Sequence, residues 1–266
     1  MRGRKEKKKV KILAIGDVTS QGGVAHLERN LWQVRRTHGI DFCVVNGENA
    51  SFITGISAES ADTLLRSGAD VITGGNHTMQ NHSAHKMLDE YDAVLRPLNY
   101  GRRAPGKGYT IVDTGKERVL VISAMGNVHI DPQLDAPYSY IEDVLSSEHG
   151  KYDISVLDIH AEATGEKLAV AHSFDGKINV IFGTHTHVPT SDMTVLPRGS
   201  GYVTDVGMCG ESGGILGMDI STVLYKMRTK MPGKFKCAEG APFADGVIFE
   251  INESTKKVVD VKRIKF

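Results

Sequence analysis

Three short apolar runs, separated by stretches of helical periodicity, constrain the fold of this chain more than any other feature. Residues 10–16 (VKILAIG) read as a strand. Val24, Leu27, Leu31 and Val34 then recur on one helical face that stops at Gly39. Residues 41–46 (DFCVVN) form the next strand, and a helix follows with Ser57 as its N-cap, reaching Ser67 and ending at Gly68. Residues 70–73 and a helix over 81–90 complete a βαβαβα order. Strands joined by helices pair in parallel, so this half demands an α/β layered fold.

The second half is mixed. Residues 109–113 and 118–123 flank TGKE and read as a hairpin. A strand at 153–159, a helix at 163–173 and a strand at 177–182 follow, then short strands at 201–204, 244–251 and 257–264. There is no internal repeat, low-complexity tract or linker, so the expectation is one domain over 10–266 behind a basic tail at 1–9. Lys plus Arg and Asp plus Glu both number 32, so bulk charge argues for neither nucleic acid nor membrane as partner. The apolar stretch at 12–15 is too short for a signal peptide, and no run reaches transmembrane length. Cys43, Cys209 and Cys237 make no disulfide framework, which fits a reducing, cytoplasmic setting.

The polar residues collect just beyond the strands. The first strand runs into Asp17, the second into Glu48 and Asn49, the third into Asn76 and His77, the strand at 153–159 into His160, and the next into His185 and His187 (GTHTHV). Ligands of open α/β sheets bind beyond the carboxyl ends of strands. Residues at i and i+2 of an extended segment point to the same side, so His185 and His187 are expected to converge on one object. Two carboxylates, two amides and several imidazoles, with no thiolate, suit iron, manganese or zinc.

The order GD, an acidic/Asn motif, GNH, a lone His and a paired His-x-His resembles the calcineurin-like metallophosphoesterases. VNGENA, GADVITGGNHT, LRPLNY, APGKGYT, DIHAEAT, EKLA, GTHTHV, YVTDVGM and GILGMD resemble the YmdB-type branch, from about residue 11 to 266. The resemblance implies a four-layer α-β-β-α sandwich with mixed sheets and a dinuclear centre. It implies a hydrolase of phosphodiesters, 2′,3′-cyclic nucleotides above all, using a metal-bridged hydroxide and giving a 3′-monophosphate. Carried over, Asp17, Asn49 and His187 would hold one metal, Asn76, His160 and His185 the other, and Glu48 would bridge them. His77 would lie over the metals as proton donor. The ions implied are two divalent transition metals, iron or manganese first and zinc next. The implied partner is a small phosphodiester or cyclic nucleotide, with RNA ends and a second copy of the chain as further partners and no membrane.

Departures from the pattern are local. Thr78 stands where ordinary members carry an acid, Met79 and Gln80 stand where the branch has an aromatic and an acid, and VTSQGGVAH after Asp17 lacks a Pro-Gly-Arg stretch. The alternatives are a regulatory or RNA-associated nucleotide-binding protein with little turnover, and a phosphomonoesterase or nuclease using the same site. Cys209, His129, Lys107 and Arg96 are weaker candidates for places near the site. His82 and His85 read as solvent-facing, His26, His38, His149 and His172 as structural, and Met218-Asp219 as a helix start.

Overall fold

The computed structural model describes residues 9–51, 54–234 and 236–266. The expected tail at 1–9 lies outside the described residues except for Lys9. The first strand is β1 (Lys9–Ile15), followed by the short β2 (Asp17–Val18) and the helix α1 (Ser20–His38). Gly39 closes α1 at φ 63°, a left-handed turn that a side chain disfavours. Then come β3 (Phe42–Asn46), α2 (Ala58–Arg66), β4 (Val71–Thr73), a 3₁₀ turn (Thr78–Gln80) and α3 (His82–Glu90). Ser57 and Asn81 cap α2 and α3 by accepting the N–H groups of Ser60 and Ser83.

The hairpin is β5 (Tyr109–Asp113) and β6 (Arg118–Met125), and α4 (Tyr138–Ser147), β7 (Ile154–His160), α5 (Thr164–Phe174) and β8 (Val180–Thr184) follow. The chain ends with β9 (Thr194–Val195), β10 (Gly201–Val203), β11 (Met208–Glu211), α6 (Ile220–Thr229), β12 (Pro242–Asn252) and β13 (Val258–Lys265). Sequence periodicity did not reveal α4, β2, β9 or β11.

The strands make two mixed sheets. One runs β2-β11-β12-β1-β3-β4 with β13 also on β12, and the other runs β5-β6-β7-β8-β10-β9. Parallel pairs join β1–β3–β4 at one end of the first sheet and β6–β7–β8–β10 through the middle of the second. The five site-bearing strands are therefore split between two sheets that bring their carboxyl ends to one place.

The continuous apolar runs follow from burial on both faces, where side chains alternate at period two. Ile12, Ala14, Phe42 and Val44 face Val119, Val121, Ile154 and Val156 across a core between the sheets. Leu13, Ile15, Cys43 and Val45 point the other way, against Leu27 and Leu31 of α1 and Leu64 of α2. Leu120, Ile122, Leu157 and Ile159 point away from the shared core and pack on Ile141 of α4 and Val170 and Phe174 of α5. The result is the α-β-β-α sandwich. Among the described residues, no helix is long and apolar enough to cross a membrane.

Candidate metal centre

The carboxyl ends of both sheets meet around Glu48, which is 1% exposed. Its Oε2 lies 3.2 Å from Nε2 of His160, the last residue of β7, and its Oε1 lies 3.2 Å from Nδ1 of His77. His160 Nε2 is also 3.0 Å from Asn76 Oδ1 and 3.1 Å from His185 Nδ1. Ligand atoms of Glu48, His160 and His185 all lie within 4.8 Å of one another, and so do those of Asp17, Glu48 and His187. Glu48 is common to both groups. All seven residues that the resemblance implies as ligands are thus brought together, with Asn49 adjoining through its amide, 2.8 Å from Glu48 Oε1.

Hydrogen bonds fix which ring nitrogens face inward. Thr184 gives its hydroxyl proton to Asp158 (2.8 Å), so it accepts from His160 Nδ1–H (2.9 Å). His160 Nε2 therefore carries a lone pair toward the centre. His185 Nε2 lies 3.0 Å from Glu162 Oε2 and donates there, which leaves its Nδ1 lone pair facing His160. With both rings neutral, two imidazole lone pairs, an amide oxygen and a carboxylate oxygen converge with no proton between them. Acceptors that meet in this way need a cation. Asp17 adds to the argument, because its Oδ1 is fully buried without a hydrogen-bond partner, 3.7 Å from His187 Nε2 and 3.8 Å from His160 Nδ1. The residues present therefore fit divalent metal.

The electrostatics agree with that fit. Burial pushes the Asp17 carboxyl upward against the pull of His187 and His160. Burial also works to raise Glu48, but His160 and His77 outweigh it and hold the carboxyl well below the usual range. His160 is lowered by burial yet raised further by Glu48, Asp17 and Asp158, to about 9. His185 is driven down to about 3 by burial and then by His160. Without a cation, one proton on His160 stands in for it.

The paired histidines converge, but not as an extended segment. His185 has φ 96° and His187 φ 62°, both left-handed, so the i, i+2 argument does not describe them. His185 turns toward His160 and His187 toward Asp17, one to each pole of the centre. Tertiary bonds hold this strained loop: His185 N–H donates to Asp17 Oδ2 (3.0 Å) and Thr186 N–H to Asp205 Oδ2 (3.1 Å). Asp205 is itself paired with Lys167 Nζ at 2.8 Å, and both side chains are fully buried. Lys167 also donates to the Thr184 carbonyl at 2.6 Å. Gly75 completes the wall, since a Cβ there would strike both Glu48 Oε2 and His160 Nε2.

Sequence reading did not single out Asp158, Glu162, Lys167, Thr184 or Asp205. Asp158 and Thr184 lie in apolar strands, Lys167 on the buried face of α5, and Glu162 and Asp205 in the loops after β7 and β10; all five fall within stretches that carry the family resemblance. Burial pushes Asp158 up to about 6, partly offset by His160 and by hydrogen bonds from Thr73, Asn46 and Thr184.

His77 precedes the 3₁₀ turn and is half-buried. Its N–H donates to Glu48 Oε2 (3.1 Å) and its Nδ1 lies 2.9 Å from Asn49 Oδ1. Glu48 and Asn49 orient the ring without an acid from the following residues. Thr78 is buried and accepts the Gly75 N–H (2.8 Å), Met79 packs on the helix-side core and Gln80 is exposed. His77, Asn49 and His187 form the inner end of a cleft of about 520 Å³ that runs out to Lys226 and Met227 of α6. No Arg lines it.

The weaker candidates lie elsewhere. Cys209 is buried in β11, where burial pushes its thiol up, and His129 is exposed outside the cleft. Lys107 pairs with Asp92, and the buried Arg96 donates to the carbonyls of Pro97 (2.9 Å) and Leu98 (3.3 Å). His85 Nε2–H donates to the Met79 carbonyl (3.1 Å), and the ring sits edge-on to the exposed His82. Asp219 caps α6 as the sequence suggests.

Residues 13–264 match the family profile described as YmdB-like protein. The chain belongs to the YmdB-like family. It is 37% identical to a Bacillus subtilis 2′,3′-cyclic-nucleotide 2′-phosphodiesterase, over 96% of each protein. The YmdB-like chain also superimposes on a Mycoplasma pneumoniae phosphatase with TM-score 0.90 and 29% identity, covering 98% of this chain and 94% of that one. A Thermus thermophilus protein gives TM-score 0.89 at 35% identity, over 97% and 99% of the two chains. The sandwich extends to a calcineurin-like phosphoesterase of Bacillus subtilis at TM-score 0.57 and 11% identity, a likeness of fold.

Proposed function

We propose that this chain is a metal-dependent phosphodiesterase that opens 2′,3′-cyclic nucleotides at the 2′ oxygen and leaves the 3′-monophosphate. The observation that carries the reading is the buried convergence of acceptors around Glu48, with Asp17 Oδ1 lacking any other partner. The named activity of the Bacillus subtilis relative, at 37% identity, points to the same substrate class. Asp17, Asn49 and His187 would hold one ion, Asn76, His160 and His185 a second, and Glu48 would touch both. Iron or manganese fits this mixed oxygen and nitrogen set better than calcium or magnesium. Bound ions of this kind lower the pKa of water and offset charge on phosphate oxygens.

The side chains do the rest. His77 lines the cleft at the point where a phosphate would meet the centre. His77 Nδ1 lies 2.9 Å from Asn49 Oδ1 and 3.2 Å from Glu48 Oε1, so donation to a leaving oxygen falls to Nε2. Proton transfer from Nε2 lets the ribose 2′ oxygen depart as an alcohol. The shared core between the sheets supports reading residues 10–266 as one domain, and three unpaired cysteines support a cytoplasmic setting.

Manganese- or iron-loaded protein should be offered 2′,3′-cyclic AMP, bis-nitrophenyl phosphate and nitrophenyl phosphate, with products separated by chromatography. The proposal expects 3′-AMP and little monoester hydrolysis. Turnover of the monoester alone would instead mark a phosphomonoesterase. Nucleotide binding without turnover would mark a sensor.

A further inference from the structure

The cleft beyond His77 and His187 has a lining the hydrolytic step does not use. Its described residues include two lysines and two histidines and no acidic side chain. The outer wall is one face of α6. Thr222 and Lys226 form a polar row at i and i+4, Lys230 follows as the left-handed cap that ends the helix, and Val223 and Met227 form an apolar row beside them. Met227 is 67% exposed although it lines the cleft. Nearby Lys236 pairs with Glu239 at 3.4 Å, but Lys226 and Lys230 have no carboxylate partner among the described residues.

We infer that α6 builds a second anion subsite, in which Lys226 and Lys230 take a phosphate on the 5′ side of the nucleotide whose cyclic phosphate lies at the metal centre. The inference rests on the phosphodiesterase reading for the orientation of the nucleotide. With the cyclic phosphate beside His77, a nucleoside must extend outward along the cleft. Two parts of it point away from the 2′ and 3′ oxygens, the base and the 5′ carbon. The base has apolar surface to lie on at Met218, Val223 and Met227, where thioethers adapt to flat rings. The 5′ substituent is left facing the ammonium row. Lys226 lies in the last turn of the helix and Lys230 at the cap that ends it, and both line the cleft. They supply the positive charge that the loop after Asp17, without an Arg, does not. The substrate class this selects is a cyclic phosphate on a nucleotide that is itself phosphorylated at its 5′ position, whether as a free monoester or as the 3′ end of an RNA strand.

Product binding tests this without turnover. Affinities of the metal-loaded protein are measured by calorimetry for adenosine 3′-monophosphate, for adenosine 3′,5′-bisphosphate and for the dinucleotide ApAp. Wild type should bind both 5′-phosphorylated ligands about tenfold tighter than the monophosphate at low salt, an advantage that shrinks as salt rises. In K226A/K230A protein the ratio should fall to about one, whereas Lys86→Ala, which alters an exposed lysine on α3, should keep it. An advantage for the bisphosphate alone identifies free nucleotides as the ligand, and one for ApAp identifies RNA ends. Equal affinity for all three in wild type, or an advantage that survives the double substitution, overturns the subsite. If the advantage is present but cyclic nucleotides are not hydrolysed, the subsite stands and the activity reading falls.

Discussion

The metal centre and the α6 wall of the cleft face the same space, yet they are built in opposite ways. The strand-end residues of the centre are tied by hydrogen bonds to partners from other elements. His160 leans on Thr184, Thr184 on Asp158, and the His185–His187 loop on Asp205 and Lys167. Helix α6 has no buried residue at all, and its lysines stand free of carboxylates among the described residues. Chemistry needs positions held to fractions of an ångström, which only an over-determined network supplies. Selection among nucleotides needs surface and charge, which a thin helix offers at little cost to the fold.

The largest expected effect lies on the rigid side. His77→Ala should slow ribose ester cleavage by about 10²–10⁴-fold while the metal content stays unchanged. Nitrophenyl esters, whose leaving group departs without a proton, should lose less. An equal loss on both substrates would assign His77 to the phosphate oxygens instead.

Next comes the brace beneath the loop. Lys167→Met leaves the Asp205 carboxylate buried without its cation, and should cost about 3–5 kcal/mol in a denaturant titration. Lys226→Ala should change stability by less than about 0.5 kcal/mol. Similar costs for the two would erase the contrast between the regions. Met227→Ala, on the thin side, should leave the unfolding midpoint in place and raise KM several-fold through lost apolar contact with the base. An unchanged KM would remove Met227 from the cleft's function.

The smallest effect lies far from both regions and reads the pH dependence of an ordinary ion pair. Asp153 is held down to about 2 by hydrogen bonds from the Arg118 side chain and backbone. Its folded value lies below the unfolded value of about 3.9, so its contribution is present above pH 4 and is lost as pH falls through 2. The stability difference between wild type and Asp153→Asn should shrink over that window. A difference that stays constant with pH would contradict the pairing.

What the sequence made readable follows the same division. Asp17, Glu48, Asn76 and His160 could be located because apolar period-two runs mark strands and the polar residues begin where the runs stop. The left-handed backbone at His185 and His187 could not, because no glycine marks it and the bonds that hold it come from Asp17 and Asp205, far apart in sequence. Lys167 of α5 shows its full burial only in the fold. Helix α4 escaped notice because Ile141 and Val144 are its only buried positions, too few to set a period. Helix α6 announced only its start, through the Asp219 cap, since nothing on it packs into a core.

Metal stoichiometry of the Glu48→Ala protein tests the central claim most directly. Glu48 belongs to both ligand groups, so its carboxylate should touch both ions. After reconstitution with manganese or iron and desalting, wild type should hold about two ions per chain, as a two-metal phosphoesterase centre requires. The variant should keep neither and show no turnover. Substitution of the exposed Glu90 by Ala should alter neither quantity. A folded Glu48→Ala protein that retains the full complement of metal would contradict the shared centre.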